Sequence, residues 1–334
     1  MDAIDVGILR AMGVRPYERT PKPLDALQPS RIARVTGSSV NTVKDRITRM
    51  TETGVIAGYQ AVPNLRHLGL QGEAYHLNFT SDAAKDAAMP RLLAVDGLLE
   101  LHDFLGQGAC ADFAFKDHAD LQRTLATISA GSQLGAPRHF YSREMPEVKR
   151  SLTPLDWRIV QALRADPRAT PADLAPAIGV STRTVKRHLT RMAAEGSLFL
   201  VPMIDPSKAD GVFLFELLVH LREGTGPRPM AALRAAFHAE HVYAYVPASA
   251  ELGNFDLLLF ARTSAEVEAL RRRAEEIDGV VRAEAWLFRA FLGFPTGLDA
   301  AIERASRGLE PAPAAVSSKG QGDAKRRPLA LKKT

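Results

Sequence analysis

A chain of 334 residues with 46% apolar and 24% charged side chains has the balance of an ordinary globular protein of two to three domains. No apolar run approaches the roughly 20 residues that span a bilayer, and the N-terminus MDAIDVGILRAM carries acids where a signal peptide has basic residues, so a soluble cytoplasmic protein with no membrane partner is expected. The single cysteine, Cys110, excludes an internal disulfide and a cysteine-based zinc site, and reads as a small buried apolar residue.

The net charge of +5 belongs to the C-terminal end. Residues 307–334 hold seven basic and two acidic side chains, so the rest of the chain is balanced. Any nucleic-acid surface on the body must come from local clustering of cations.

The chain contains itself twice. Residues 29–58 laid over residues 171–200 give eleven identities in thirty ungapped positions, among them Gly37/Gly179, Ser39/Ser181, Lys44/Lys186, Arg49/Arg191 and Gly54/Gly196. Chance would give about two, so duplication is the expected cause. Asp5 and Ile8 match Asp156 and Ile159 at a different offset, which puts about nine extra residues in the first copy, around Gly13 to Pro23.

In chain order, a first helix over the opening residues is followed by a short helix from Ser30 to Val35, a turn at Gly37, and a third helix capped by Ser39 with Val43, Ile47 and Met50 as its buried stripe. Strand 72–80, helix 84–94, strands 97–105 and 109–116, helix 117–130 and strand 137–142 follow. The second copy opens on a helix with Leu155, Ile159, Val160 and Leu163 on one face. A short helix from Pro171 to Ile178 comes next, with Thr170 as N-cap, then Gly179, and then a helix capped by Ser181 and buried through Val185, Leu189 and Met192. Strand 212–221, helix 229–238, strands 241–247 and 255–261, helix 264–277 and strand 280–288 complete it.

A helix, a Gly-containing turn and a second capped helix make a helix-turn-helix, and the strand–helix order afterwards is βαββαβ, the ferredoxin-like arrangement. The expected fold is therefore α+β, with two winged helix-turn-helix domains each followed by a ferredoxin-like domain. The expected boundaries are 1–62 and 63–145 for the first unit and 151–203 and 204–295 for the second, with a disordered basic tail over 306–334.

The third helix of each copy has the residue types that read DNA: long donors for base edges and cations for phosphates. In the second copy Thr182, Arg183 and Arg187 are assigned to bases, and Lys186 and Arg191 to phosphates. In the first copy Asn41 and Lys44 are assigned to bases, and Arg46 and Arg49 to phosphates. Ser39 and Ser181 cap the helices with hydroxyls that also suit a phosphate. Asp45 departs from the pattern, because an acid facing DNA repels phosphate; it suits cytosine, a neighbouring arginine, or a weaker copy. The expected partner is double-stranded DNA.

At these residues the chain resembles the Lrp/AsnC family of transcription regulators. The resemblance lies in LDWRIVQAL, in DLAPAIGVSTRTVKRHLTRMAAEGSLF, and in RIARVTGSSVNTVKDRITRMTETGVIAGYQAV with the HLG that follows, and it covers about residues 1–145 and 152–290. It implies a winged helix-turn-helix joined to a ferredoxin-like sensor, pairing through the sensors, and a small-molecule, amino-acid-like effector near a G-x-[FY]-D turn. Gly253, Asn254, Phe255 and Asp256 match that turn, whereas Gly106 and Asp112 of GQGACADF fit it poorly. With both sensors in one chain, the resemblance also implies an internal pseudo-dimer.

Two other readings stand beside this one. One is a ligand sensor whose heads no longer bind DNA. The other is an enzyme, because some siroheme decarboxylases look like fused or paired members of the same fold. Among the nine histidines only His238 and His241 are neighbours in sequence, and no nucleophile elbow, phosphate loop or metal-ligand cluster is present, so no cofactor and no catalytic residue is expected.

Overall fold

The computed structural model describes residues 1–13, 26–143, 145–222, 224–225, 228–245, 254–293 and 295–308. The extra residues of the first copy and most of the basic tail lie outside them.

The first head has helices α1 (Ala3–Met12), α2 (Pro29–Thr36) and α3 (Val40–Glu52), then strand β1 (Ile56–Pro63). Its boundaries have local causes. Asp2 and Asp5 form a reciprocal capping box on α1, and Ser39 Oγ accepts from the Thr42 backbone N–H at 3.0 Å to start α3. Gly37, at φ +69°, makes the left-handed turn between α2 and α3 that a β-carbon would strain.

The second head repeats this with α6 (Pro154–Ala165), α7 (Pro171–Ile178), α8 (Thr182–Ala194) and β6 (Leu198–Ile204). Thr153 and Asp156 cap α6 reciprocally, Gly179 turns at φ +74°, and Ser181 caps α8.

Between and after the heads come the two α/β units. The first holds β2 (Gln71–Asn78), α4 (Asp82–Leu93), β3 (Leu98–Phe104), β4 (Gly108–Phe115), α5 (His118–Ser129) and β5 (Arg138–Ser142). The second holds β7 (Phe213–Leu221), α9 (Arg228–Ala236), β8 (His241–Tyr245), β9 (Asn254–Ala261), α10 (Ser264–Glu275) and β10 (Val280–Gly293). The final helix α11 (Asp299–Ser306) packs on the second head through Ala301, Ile302 and Ala305. It occupies a stretch to which the sequence assigned no element, and it ends on Ser306, the residue at which the basic tail was expected to begin.

The strands join twice across the two halves. In the sheet order β5-β2-β4-β3-β10-β7-β9-β8 each half has the ferredoxin-like order, and the halves meet where β10 pairs antiparallel with β3. The expected pairing of sensors inside one chain therefore takes the form of one continuous eight-stranded sheet. β10 is five residues longer than the sequence pattern suggested, running to Gly293; Phe288 to Gly293 are the residues that reach β3. The second junction is a ribbon in which β1 pairs antiparallel with β6, from Ile56 opposite Ile204 to Pro63 opposite Leu198. It ties the two heads together.

Period-two alternation decides what each sheet face buries. On the face covered by α4, α5, α9 and α10 lie Leu77, Leu101, Phe113, Leu217, Phe255 and Leu257. On the opposite face Ala74, Phe104, Cys110, Leu214, Leu218 and Phe288 share a core with Ile8, Leu9, Met12 and Met50 of the first head. Burial of Cys110 pushes its thiol well above the ordinary range. Among the described residues no helix is long and apolar enough to cross a membrane.

Candidate nucleic-acid interface

Helix α8 carries Arg183, Lys186 and Arg187 on exposed positions and has no acid anywhere along it. Thr182, Arg183, Lys186 and Arg187 are all exposed, while Val185, Leu189 and Met192 are buried against α6 and α7. On α3 the exposed positions are Val40, Asn41, Lys44, Asp45, Thr48, Arg49, Thr51 and Glu52. Ser181 Oγ accepts from the Thr184 backbone N–H at 3.2 Å, and both capping serines are exposed.

The structure gives three arginines assigned to phosphates a protein partner instead. Arg46 reaches Asp2 at 2.6 Å and Asp5 at 3.2 Å, and Arg49 reaches Asp5 at 2.7 Å. In the second head Arg191 pairs with Asp156, and His188 Nδ1 lies 2.7 Å from the same carboxylate. Asp5 and Asp156 are completely buried at the start of the first helix of each head, so these pairs bolt the recognition helix to it. Burial alone would raise the Asp156 pKa, but His188, Thr153 and Arg191 outweigh it and hold the carboxyl below its ordinary value. The identity Asp5/Asp156 was visible in the sequence. Its role was not, because helix periodicity says which face is polar and not what a long side chain on that face reaches.

The other cations split by direction. Lys44, Thr48, Thr182 and Lys186 line a cleft between the heads, whereas Arg183 and Arg187 are not on its wall. The two recognition helices thus face one another across shared space as well as facing outward.

For the effector turn, Gly253 lies outside the described residues. Phe255 and Asp256 are in β9 and buried. Phe255 belongs to the core under α9 and α10, with the Arg234 guanidinium 5.7 Å from its ring centroid, so its ring packs the fold instead of an open site.

A second concentration of polar groups lies where the halves of the sheet meet, and the sequence did not bring it together. His102 Nδ1 is 2.6 Å from Glu216 Oε1, across β3 and β7, and its Nε2 is 3.8 Å from Glu100. Burial opposes protonation of His102, but Glu216 and Glu100 overcome it and raise the pKa to about 10. Arg143 joins Glu100 at 3.0 Å to Asp112, which also accepts from the Tyr141 hydroxyl at 2.6 Å. His76 is buried between Phe140 and Trp286, and among the described residues neither of its ring nitrogens has a hydrogen-bond partner. Burial, with Arg138 nearby, lowers its pKa to about 3 and keeps it neutral. The residues of this cluster run from His76 on β2 to Glu216 on β7, 140 positions apart in sequence, and strand pairing brings their strands together.

Comparison with known proteins bears on the heads and on the whole fold. A family model described as winged helix-turn-helix DNA-binding matches residues 152–196, the three helices of the second head. The HTH-type transcriptional regulator Ptr1 of Methanocaldococcus jannaschii is 28% identical over 127 residues, 38% of this chain and 80% of that protein. Among solved structures, the siroheme decarboxylase NirDL superposes with a TM-score of 0.52 at 10% identity over 92% of this chain and 99% of that one, a likeness of fold alone. The leucine response regulatory protein LrpA of Mycobacterium tuberculosis gives 0.32 at 22% identity, over 41% of this chain and 91% of that one.

Proposed function

We propose that this chain, a winged helix-turn-helix protein of the Lrp/AsnC type, is a sequence-specific DNA-binding transcription regulator modulated by a small-molecule effector. The observation that carries the reading is α8, a Ser-capped helix in a winged helix-turn-helix, exposing Thr182, Arg183, Lys186 and Arg187 with no acid along its length. Long donors near the N-terminus of such a helix suit guanine edges, and cations beside them suit the flanking phosphates. We assign Arg183 and Arg187 to base edges and Lys186 to phosphate, with Asn41 and Lys44 serving in the first head. Arg46, Arg49 and Arg191 act first as positioning residues that hold the recognition helices. The β1–β6 ribbon sets the spacing of the two heads, and α3 differs from α8 by Asp45, so the operator should have two unlike half-sites. On this reading the protein acts on DNA in the cytoplasm and is not an enzyme.

The test is binding of the full chain to genomic fragments, its own promoter included, at about 50 and about 200 mM salt. Selective, salt-sensitive binding that is lost in Arg183→Glu/Arg187→Glu supports the reading. Selective binding that survives the double reversal removes α8 from the interface, and no selective binding at either salt favours a sensor without DNA.

One observation favours a second reading, a siroheme-decarboxylase-like enzyme: neutral His76 and cationic His102 meet at the buried seam beside Glu100, Asp112 and Arg143. A decarboxylation leaves a carbanion that must be protonated, and an imidazole held in its charged form by Glu216 and Glu100 is a proton donor of the right kind, while Arg143 suits a substrate carboxylate. Incubation with siroheme checks it: loss of carbon dioxide that depends on His76 and His102 would establish it, and no turnover would remove it.

A further inference from the structure

The cleft between the heads has a volume of about 1580 Å³, beyond the roughly 300–1,000 Å³ of ordinary small-ligand pockets. Its walls are the facing sides of α3 and α8, and its floor includes Tyr59 and Leu200 of the ribbon. Positions 142 apart in sequence appear on both walls: Lys44 with Lys186, Ile47 with Leu189, Thr48 with Thr190. The duplicated segment therefore supplies each wall with the same sequence of groups, an apolar patch with a lysine above it.

Charge decides what fits. Among the described residues three cations border the cleft, Lys44, Lys186 and Arg168, against one carboxylate, Glu52. Arg168 lies with its guanidinium 5.2 Å from the Tyr59 ring centroid, which keeps it at the cleft and leaves its donors for an anion. The partly exposed lining beside the lysines is apolar in Leu27, Ile47, Tyr59 and Leu200. An inorganic anion would leave that surface bare, and an uncharged hydrocarbon would leave the cations unmatched.

We propose that the cleft binds an amphipathic organic anion, with an apolar body and at least one carboxylate, sulfonate or phosphate group, and that the bound anion competes with DNA for Lys44 and Lys186. The competition rests on the regulator reading given above; the binding does not. This places control of the heads at the recognition helices themselves, apart from the Gly253–Asp256 turn of the sensor half.

The probe is 1-anilinonaphthalene-8-sulfonate, a sulfonate on an aromatic body, titrated by fluorescence into the full chain without DNA. Saturable one-to-one binding is expected. Lys44→Glu/Lys186→Glu should weaken it by about tenfold or more through charge reversal. Ala194→Trp, an exposed position on the α8 wall, should weaken it comparably by filling the cleft. Lys116→Glu, an exposed charge reversal on the first α/β unit, should leave it within about twofold, because screening removes distant charges. Circular dichroism melting confirms that each variant folds. No saturable binding, or binding indifferent to both the lysine pair and Ala194→Trp, overturns the proposal. The probe is then added to protein on labelled promoter DNA: displacement from the parent chain but not from Ala194→Trp supports competition, and probe and DNA bound together overturns it. If the probe binds the cleft while the chain binds no DNA, the regulator reading falls and the anion site stands.

Discussion

Arg191→Gln separates two jobs that an arginine on a recognition helix can do. The Asp156 carboxylate has no exposed surface and is held by Arg191, by His188 Nδ1 at 2.7 Å, and by the backbone and hydroxyl of Thr153 at 2.8 and 2.7 Å. Removing one partner from a buried ion pair costs about 3–5 kcal/mol when nothing replaces it. Here three donors remain and Arg191 is 24% exposed, so we expect about 2–3 kcal/mol. In a chain of this size that is a melting shift on the order of 5 °C. Lys186→Gln, on the same helix but exposed and assigned to phosphate, should change stability by less than about 0.5 kcal/mol and reduce the salt slope of DNA binding by about one.

The pH dependence adds a second check. Because the folded pKa of Asp156 is depressed, its contribution is present above the unfolded value and is lost as pH falls through the folded value. In Arg191→Gln the folded value lies closer to the unfolded one, so the loss on the acid side should be smaller and should end at a higher pH. The assay is paired, thermal and urea unfolding against DNA binding over a salt series. If Arg191→Gln melts with the parent and instead lowers the salt slope, its principal partner is phosphate and the positioning role is refuted.

Other consequences are checked more simply. Ser181→Ala removes the oxygen that accepts from the Thr184 N–H and should cost about 1 kcal/mol by urea unfolding, with Ser39→Ala similar at Thr42. His102 is raised to about 10 in the fold, so its stabilisation is full below its unfolded value and is lost as pH rises through about 10. The urea midpoint should fall over that range, and the fall should be smaller in His102→Gln; an unchanged alkaline slope would remove the Glu216 pairing as its source. Gly297→Ala places a β-carbon 2.2 Å from the Leu98 carbonyl oxygen and should cost about 1–3 kcal/mol, whereas Gly58→Ala meets only the mobile end of Met203 at 2.9 Å and should cost less than about 1 kcal/mol by the same measurement. Deleting residues 309–334 removes most of the excess positive charge and should flatten the salt dependence of DNA binding while sparing sequence preference, which a two-salt titration on operator and random DNA reads directly.

The sequence by itself determined the parts that local interactions write. Caps at Ser39, Thr170 and Ser181, the left-handed turns at Gly37 and Gly179, and the apolar stripes Val43–Ile47–Met50 and Val185–Leu189–Met192 act within one or two helical turns, so they can be read from a short window and from its repetition 142 residues later. The βαββαβ order was legible for the same reason, because alternation within a strand is a local property.

What each strand edge pairs with is not local. The junction of β3 with β10 joins residues about 190 positions apart, and it creates the buried cluster of His76, His102, Glu100 and Glu216 from side chains that have no common spacing in the chain. The ribbon of β1 with β6 does the same for the heads: it turns two outward helix faces into the walls of one cleft and sends Lys44 and Lys186 into it while Arg183 and Arg187 stay outside. Even on one helix the sequence marks a polar face without saying which cations meet solvent. Arg49 and Arg191 look like their neighbours in the sequence, and only the packing of the first helix of each head, which buries Asp5 and Asp156 beneath them, gives those two arginines a partner inside the protein.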